Sequence, residues 1–239
     1  MHREHVRWFS PSLERDMDLL VFGHAGARVL VFPSSMGRFY EWEDQGMIGA
    51  LGEHLERGWL QLCCVDSVDA DSWYAKWKHP ADRARFHARY DHYLHEEVLP
   101  FTRHRNGNQY LITTGASFGA YHALTFALRH PFDVGRAIGL SGVYDIREIT
   151  DGHTSAQVYP FNPPEFLAHE HDAQRIAAMQ RLDIILAIGR DDPMRGNSEY
   201  MSGKLWDRGI GNALRIWDGW AHDWPYWRQM IVRYVGGHD

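Results

Sequence analysis

The chain has 239 residues, of which 44% are hydrophobic and 23% charged, a composition that supports a packed core and argues against disorder. The formal net charge of −6 argues against a nucleic acid or an anionic membrane as partner, because both attract basic surfaces. No apolar stretch approaches the ~20 residues that span a bilayer, and the length permits one large α/β domain.

The N-terminus and the cysteines predict a cytoplasmic location. The segment MHREHVRWFS is polar and charged and lacks the apolar core of a signal peptide. The two cysteines, Cys63 and Cys64, are adjacent in an apolar run, and neighbouring residues of a strand point to opposite faces. An ordinary disulfide between them is therefore disfavoured, and both are predicted to be buried thiols in a reducing compartment.

Apolar runs rich in valine, isoleucine and leucine predict the strands. In chain order these runs are LLVFG (19–23), ARVLVFPSS (27–35), WLQLCCVD (59–66), QYLITTG (109–115), RAIGLSG (136–142), LDIILAIG (182–189) and ALRIWDG (213–219). Several lack clean alternation, which is typical of a parallel sheet with helices on both faces. The first strands, before residue 35, have no helix between them and are predicted to be antiparallel.

Helical patterns separate the later strands. They cover 44–58, a long segment that begins at Pro80 in the favoured first turn, 118–130, 197–210 and 224–235. Residues 143–181 are the least regular part and are predicted as a loop with a short helix, with no large cap domain. Strands that alternate with helices predict a single α/β domain over residues 1–239 with a mostly parallel sheet.

The segment GASFG, residues 115–119, matches G-x-S-x-G between a predicted strand and a predicted helix. In such a turn Ser117 has a strained backbone and projects its Oγ above the sheet, and bulky flanking side chains would collide with neighbouring backbone. The N-terminus of the following helix stabilises an anion there. The alternative is a glycine-rich turn with an incidental serine, but the flanking strand and helix favour a nucleophile.

A serine nucleophile needs a base and a group that orients the base. In this fold the expected chain order is Ser, then Asp or Glu, then His, with each residue after a strand. RDDP follows the strand predicted over 182–189, and WAHDWPYW follows the next strand. Ser117 is therefore predicted to form a triad with His222 and with Asp191 or Asp192.

This arrangement resembles the esterase family of α/β-hydrolases that includes esterase D (S-formylglutathione hydrolase) and the mycolyltransferases. The resemblance runs through VLVFPSSMG, TGASFGAYHAL, GRDDP and GWAHDWPYW, and so covers essentially the whole chain. It implies an α/β-hydrolase fold. The family's G-x-x-D pattern makes Asp192 the triad acid, with Asp191 as the alternative.

The resemblance also implies an oxyanion hole. The family takes one backbone N–H donor from the loop after an early strand, which here is FPSSMG. Alignment puts Met36 at the donor position, with Ser35 as the alternative because a serine replaces a common glycine. The second donor is the backbone N–H of Phe118, the residue after the nucleophile. The implied chemistry needs no cofactor.

Side chains in loops near the same sheet edge are predicted to contact the substrate. They are Ser35, Tyr40, Trp42, Trp73, Trp220 and Trp224. For each tryptophan, packing in the core is the alternative.

Histidines on the long helix raise the question of a metal site. His87, Asp91 and His95 fall on one helical face, but they span about 12 Å at 1.5 Å per residue, which is too long for one ion. They are predicted to be a solvated polar face, and no metal is expected.

The leading prediction is a serine hydrolase that cleaves a small-molecule carboxylic ester through an acyl-enzyme on Ser117. One alternative is an acyltransferase, with an alcohol in place of water. The other is an inactive binding protein on a hydrolase fold. The sequence leaves homo-oligomerisation and the identity of the ester open.

Overall fold

The computed structural model describes residues 1–237, in which eight strands form one sheet. The strands are Arg3–Ser10 (β1), Arg15–Phe22 (β2), Ala27–Phe32 (β3), Leu60–Val65 (β4), Leu111–Ala116 (β5), Arg136–Leu140 (β6), Asp183–Gly189 (β7) and Asn212–Trp217 (β8). Their spatial order is β1-β2-β4-β3-β5-β6-β7-β8. Strand β2 pairs antiparallel with β1 and β4, and all other pairs are parallel. The predicted fold class is confirmed, although β3 belongs to the parallel part.

Helices connect the parallel strands. They are Glu41–Asp44 (α1), Met47–Ala50 (α2), Gly52–Glu56 (α3), Pro80–Tyr93 (α4), Leu99–Arg105 (α5), Phe118–Arg129 (α6), Pro163–Ala168 (α7), Ala173–Met179 (α8), Arg195–Trp206 (α9) and Trp224–Tyr234 (α10). A π-helical stretch, Leu94–Val98, joins α4 to α5. Of the helices described in residues 1–237, none is both long and apolar enough to cross a membrane.

Two helical predictions differ from the structure. The single helix expected over 44–58 is three short helices, because Gly46 has a φ of 73° and interrupts the helical backbone before α2. The irregular region 143–181 contains α7 and α8 rather than one short helix.

The sheet separates two apolar layers. Leu30 and Phe32 of β3 face one layer, whereas Val29 and Val31 face the other, as the period of two in a strand requires. Both faces of the parallel strands are therefore covered, which explains their nearly continuous apolar sequences.

The adjacent cysteines follow the same alternation. Cys63 and Cys64 lie in opposite layers, and both are buried free thiols, as predicted. Burial raises the pKa of the Cys63 thiol to about 12 and that of Cys64 well above its usual range. Neither thiol therefore forms a reactive thiolate at neutral pH.

Helix α4 packs across α6. The polar face of α4 was predicted to be solvated, but the structure buries it. His87 is buried against the ring of Trp73, with the centroids 5.1 Å apart. Asp91 is also buried and accepts hydrogen bonds from Arg129 at 3.0 Å and from His130 at 3.2 Å. The sequence pattern shows the polarity of this face but not the partners that α6 supplies.

The hydrogen bonds of Asp91 with Arg129 and His130 predict how stability depends on pH. Burial opposes ionisation of Asp91, but the hydrogen bonds from His130 and Arg129 outweigh it and hold the pKa of this carboxyl well below its usual range. Asp91→Asn should therefore lower the free energy of unfolding at neutral pH by about 3 kcal/mol. Because a depressed pKa stabilises fully above the unfolded-state pKa and loses this effect as the pH falls towards the folded-state pKa, the difference should shrink as the pH falls below ~4. Urea unfolding at pH 7 and pH 3 measures it, and a pH-independent difference would contradict the assignment.

Candidate active site

Ser117 lies at the turn between β5 and α6. Its backbone has φ 55° and ψ −118°, a left-handed φ that a residue with a side chain rarely adopts. The Ser117 N–H donates to the carbonyl of Leu140 at 2.8 Å, which ties the turn to the end of β6. Strain of this kind persists only where the surrounding structure holds it, and it is common at functional sites.

The two flanking glycines are required by close backbone approach. A Cβ at Gly115 would lie 2.4 Å from the backbone of Gly119, and a Cβ at Gly119 would lie 2.5 Å from the carbonyl oxygen of Pro33. Helix α6 therefore begins directly against the end of β3 and the loop that follows it. No residue other than glycine fits at either position without moving α6 away from the sheet.

Three side chains from separate strand ends form a hydrogen-bonded chain. His222 Nε2 lies 3.1 Å from Ser117 Oγ, and His222 Nδ1 lies 2.7 Å from Asp192 Oδ2. Ser117 follows β5, Asp192 follows β7 and His222 follows β8, so all three lie at the carboxyl edge of the sheet. The structure thus brings together the three side chains that the sequence singled out.

The neighbouring aspartates have different environments. The Asp192 side chain is 1% exposed, and its Oδ1 accepts from the N–H of Met194 at 2.8 Å, which leaves Oδ2 for His222. Asp191 is exposed, and its N–H donates to the carbonyl of Gly219 at 3.0 Å. The contact with His222 is therefore made by Asp192.

A second set of contacts, not predicted from the sequence, fixes the loop that carries His222. The ring of Trp220 stacks on one side of His222 at 5.6 Å, and Trp227 meets it edge-on at 5.4 Å. Ala221 has a φ of 46°, and its carbonyl accepts from Ser141 Oγ at 2.8 Å. Trp227 Nε1 donates to the same hydroxyl at 2.9 Å. In the sequence, the only indication of these contacts is that Ser141 directly follows β6, the strand beside β5.

The residues predicted as oxyanion donors differ in their hydrogen bonding. Phe118 is the first residue of α6, where backbone N–H groups have no partner within the helix. The Met36 N–H already donates to Asp69 Oδ2 at 3.2 Å, whereas the Ser35 N–H has no hydrogen bond to any described residue. The arrangement therefore favours Ser35 over Met36 as a donor to a ligand.

The predicted substrate-contacting side chains divide into two groups. Trp42 and Trp73 are 1% and 0% exposed and pack inside the core, which corrects the expectation that they line a pocket. Trp42 lies in α1 and Trp73 in the segment after β4, and neighbouring apolar side chains cover both rings. Tyr40 and Trp220 are 43% and 51% exposed, and Trp224 packs on another tryptophan at the start of α10.

Ser35 is the remaining member of that set. It is exposed, and its Oγ accepts a hydrogen bond from the Tyr74 hydroxyl at 2.8 Å. Burial raises the pKa of Tyr74, so this phenol is a donor at neutral pH.

Within residues 1–237, one cluster of side chains has the composition of a metal site, but it differs from the set on the long helix. Potential ligand atoms of His95, His130 and Asp133 lie within 4.8 Å of one another. Asp133 is paired with Arg103, and the two imidazole rings stack with centroids 4.2 Å apart. The cluster is thus an ion-pair network in which a guanidinium already neutralises the carboxylate.

A mostly parallel sheet with a strained serine turn and a Ser–His–Asp chain at its carboxyl edge defines an α/β-hydrolase. A family model described as "Esterase: Putative esterase" matches residues 10–237. The chain therefore belongs to this esterase family and is a carboxylic ester hydrolase. The family resemblance inferred from the sequence motifs is confirmed.

Solved structures share the fold at low sequence identity. A ferulic acid esterase has a TM-score of 0.75 at 16% identity, with 95% of this chain and 94% of that chain covered. S-formylglutathione hydrolase (FrmB) from Staphylococcus aureus has a TM-score of 0.73 at 16% identity, with 98% and 96% covered. The fluorophosphonate-binding serine hydrolase F (FphF) from Staphylococcus aureus has a TM-score of 0.70 at 17% identity, with 98% and 97% covered. No curated protein matches this sequence.

The position of the His222 loop gives a testable prediction. A Cβ at Gly189 would lie 2.0 Å from the carbonyl oxygen of Trp220, so Gly189→Ala should push the loop and its histidine away from Ser117. Because a displacement of about 1 Å can cost about 100-fold in rate, we expect a loss of that order in kcat for p-nitrophenyl acetate.

The matched control is Gly203→Ala in α9, where a Cβ meets nothing within 4 Å. It should raise the free energy of unfolding by about 0.5–1 kcal/mol and leave kcat unchanged, because alanine favours a helix. A Gly189→Ala enzyme with wild-type kcat would show that the loop position does not matter.

Proposed function

We propose that the protein hydrolyses small-molecule carboxylic esters through an acyl-enzyme on Ser117, with His222 as general base and Asp192 as the residue that orients it. The observation that carries this proposal is the continuous hydrogen-bonded chain from Ser117 Oγ through both imidazole nitrogens to Asp192. Each of the three side chains alone has an ordinary structural explanation. Their convergence at one sheet edge, beside a strained serine, is what supports catalysis.

The hydrogen bonds define how the proton would move. An ionised carboxylate can only accept, so the neutral imidazole of His222 carries its proton on Nδ1 and donates to Asp192. Nε2 is then the acceptor for the Ser117 hydroxyl proton. Asp192 thereby holds the tautomer that a base requires and stabilises the imidazolium that forms.

The reaction then has two steps. Ser117 Oγ attacks the ester carbonyl as His222 takes its proton, and the C–O bond to the alcohol breaks as His222 returns that proton to the leaving alkoxide. Water next attacks the acyl carbon with His222 again as base, the bond to Ser117 breaks, and the carboxylic acid leaves. No cofactor is needed in either step.

The tetrahedral intermediates carry a negative oxygen that needs donors. We assign these to the N–H of Phe118 and the N–H of Ser35. The first lies at the N-terminus of α6, where the helix dipole also favours an anion. The second is preferred to Met36 because the Met36 N–H is taken by Asp69.

Substitution of the nucleophile tests the proposal directly. Ser117→Ala should lower kcat for p-nitrophenyl acetate at least about 10⁴-fold, because the base then has no nucleophile to activate. A fluorophosphonate probe should label the wild type on the peptide that contains Ser117 and should leave the variant unlabelled. Labelling on another residue, or undiminished turnover by Ser117→Ala, would contradict an acyl-enzyme on Ser117.

The two aspartates provide a matched comparison. Asp192→Asn should lower kcat by about 10⁴-fold, because an amide that donates to Nδ1 selects the wrong imidazole tautomer. Asp191→Asn makes the same chemical change one residue away on an exposed side chain and should retain kcat within about threefold. Steady-state kinetics on both variants decide, and a larger loss in Asp191→Asn would exchange their roles.

A further inference from the structure

A second aspartate–histidine pair lies beneath the proposed active site and takes no part in the Ser117–His222–Asp192 chain. Asp69, in the segment after β4, is 0% exposed, and His122, in α6, is 3% exposed. His122 Nε2 lies 2.9 Å from Asp69 Oδ1. A buried carboxylate is costly unless hydrogen bonds satisfy it, so the partners of its second oxygen are informative.

That second oxygen binds the loop after β3. Asp69 Oδ2 accepts the backbone N–H of Met36 at 3.2 Å. The carboxylate thus connects α6, which begins at the donor Phe118, to the loop that contains the donor Ser35. One side chain spans the two halves of the proposed oxyanion hole.

The ring of His122 is fixed on both sides of this connection. It meets the ring of Phe118 edge-on at 4.9 Å and stacks on Phe32, the last residue of β3, at 5.8 Å. His122 is buried among these rings, and its Nε2 faces Asp69. The pair therefore transmits the position of α6 to the loop.

The loop itself needs such support. Met36 has a φ of 60°, a left-handed conformation that is strained for a residue with a side chain. Tyr74 also contacts this loop, since its hydroxyl donates to Ser35 Oγ and its ring packs edge-on against Phe118 at 5.2 Å. Asp69 and Tyr74 both lie in the segment that follows β4.

We propose that Asp69 is a positioning residue that, held by His122, fixes the Met36 peptide and thereby aims the Ser35 N–H at the substrate oxyanion. This inference rests on the proposed acyl-enzyme mechanism. Asp69 does not touch the substrate. It acts through the backbone of the loop, so its loss affects the transition state, in which the oxygen is charged, more than substrate binding.

A purely structural role predicts a different result, and the chain provides the control for it. Asp91 of α4 and His130 form another aspartate–histidine pair, at the opposite end of α6 from Ser117, and its carboxylate is buried like that of Asp69. Loss of either carboxylate removes a buried hydrogen-bond partner of a histidine on or at the end of α6. Only loss of Asp69 releases the loop beside the nucleophile.

The experiment compares Asp69→Ala, Asp69→Asn and Asp91→Ala by kinetics with p-nitrophenyl acetate and by thermal unfolding. Asp69→Ala should lower kcat about 10- to 100-fold and leave KM within about threefold of the wild-type value. The expected loss of kcat is smaller than the ~10²–10³-fold loss that follows removal of an oxyanion-hole donor itself. The Ki of an aryl trifluoromethyl ketone, which forms a charged tetrahedral adduct on the serine, should rise by the same factor as kcat falls. Asp69→Asn keeps an oxygen for the Met36 N–H and should restore most of kcat.

Asp91→Ala should lower the melting temperature while kcat stays within about threefold of the wild type. Equal losses of kcat in Asp69→Ala and Asp91→Ala, or wild-type kcat in Asp69→Ala, would overturn the positioning role. If Asp69→Ala does not fold, His122→Phe removes the donor to Asp69 and keeps an aromatic ring. This variant should lower kcat and leave KM unchanged, and wild-type kcat in it would equally overturn the inference.

The outcomes separate this inference from the proposed function. Full activity in Ser117→Ala would remove the mechanism on which both depend. An inactive Ser117→Ala enzyme together with a fully active Asp69→Ala enzyme would remove the positioning role alone.

Discussion

The close backbone contact between helix α6 and the end of β3 is the constraint on which the rest of the site depends. Because Gly119 lies against the carbonyl oxygens of Phe32 and Pro33, α6 begins directly beside the loop that follows β3. Ser117, in the turn directly before this contact, has a left-handed backbone conformation, and its hydroxyl reaches His222 at the carboxyl edge of the sheet. The position of the proposed nucleophile and that of the helix N-terminus proposed to stabilise an anion thus both depend on one packing contact.

The other two members of the hydrogen-bonded chain depend on the parallel register. The carboxyl ends of β5, β6, β7 and β8 lie along one edge, so loops far apart in sequence meet there. Asp192 is held by the turn after β7. His222 is held by neighbouring rings and through Ala221, whose carbonyl accepts from the hydroxyl of Ser141 after β6. Left-handed backbone at Ser117, Ser141 and Ala221 concentrates strain in these three adjacent turns, beside the groups proposed to react.

The sequence predicted the order of the strands and helices and the three residues of the hydrogen-bonded chain, because both depend on local sequence patterns. Buried parallel strands are apolar runs, and the G-x-S-x-G turn has a fixed relation to its strand and helix. Strand β1 was absent from the apolar runs because, as an edge strand, it exposes alternate side chains such as His5 and Arg7. The Asp69–His122 pair and the burial of Trp73 depend on which helix covers which loop, and residue spacing carries no information about that.

The central claim is that hydrolysis passes through a covalent ester on one serine. The most direct measurement is rapid acid quenching during turnover of p-nitrophenyl acetate, followed by mass spectrometry of the intact protein and of its peptides. The account predicts a transient species heavier by one acetyl group, with the modification on Ser117 and with decay at the rate of acid release. Turnover without any acetylated protein, or acetylation that maps to another residue, would contradict it.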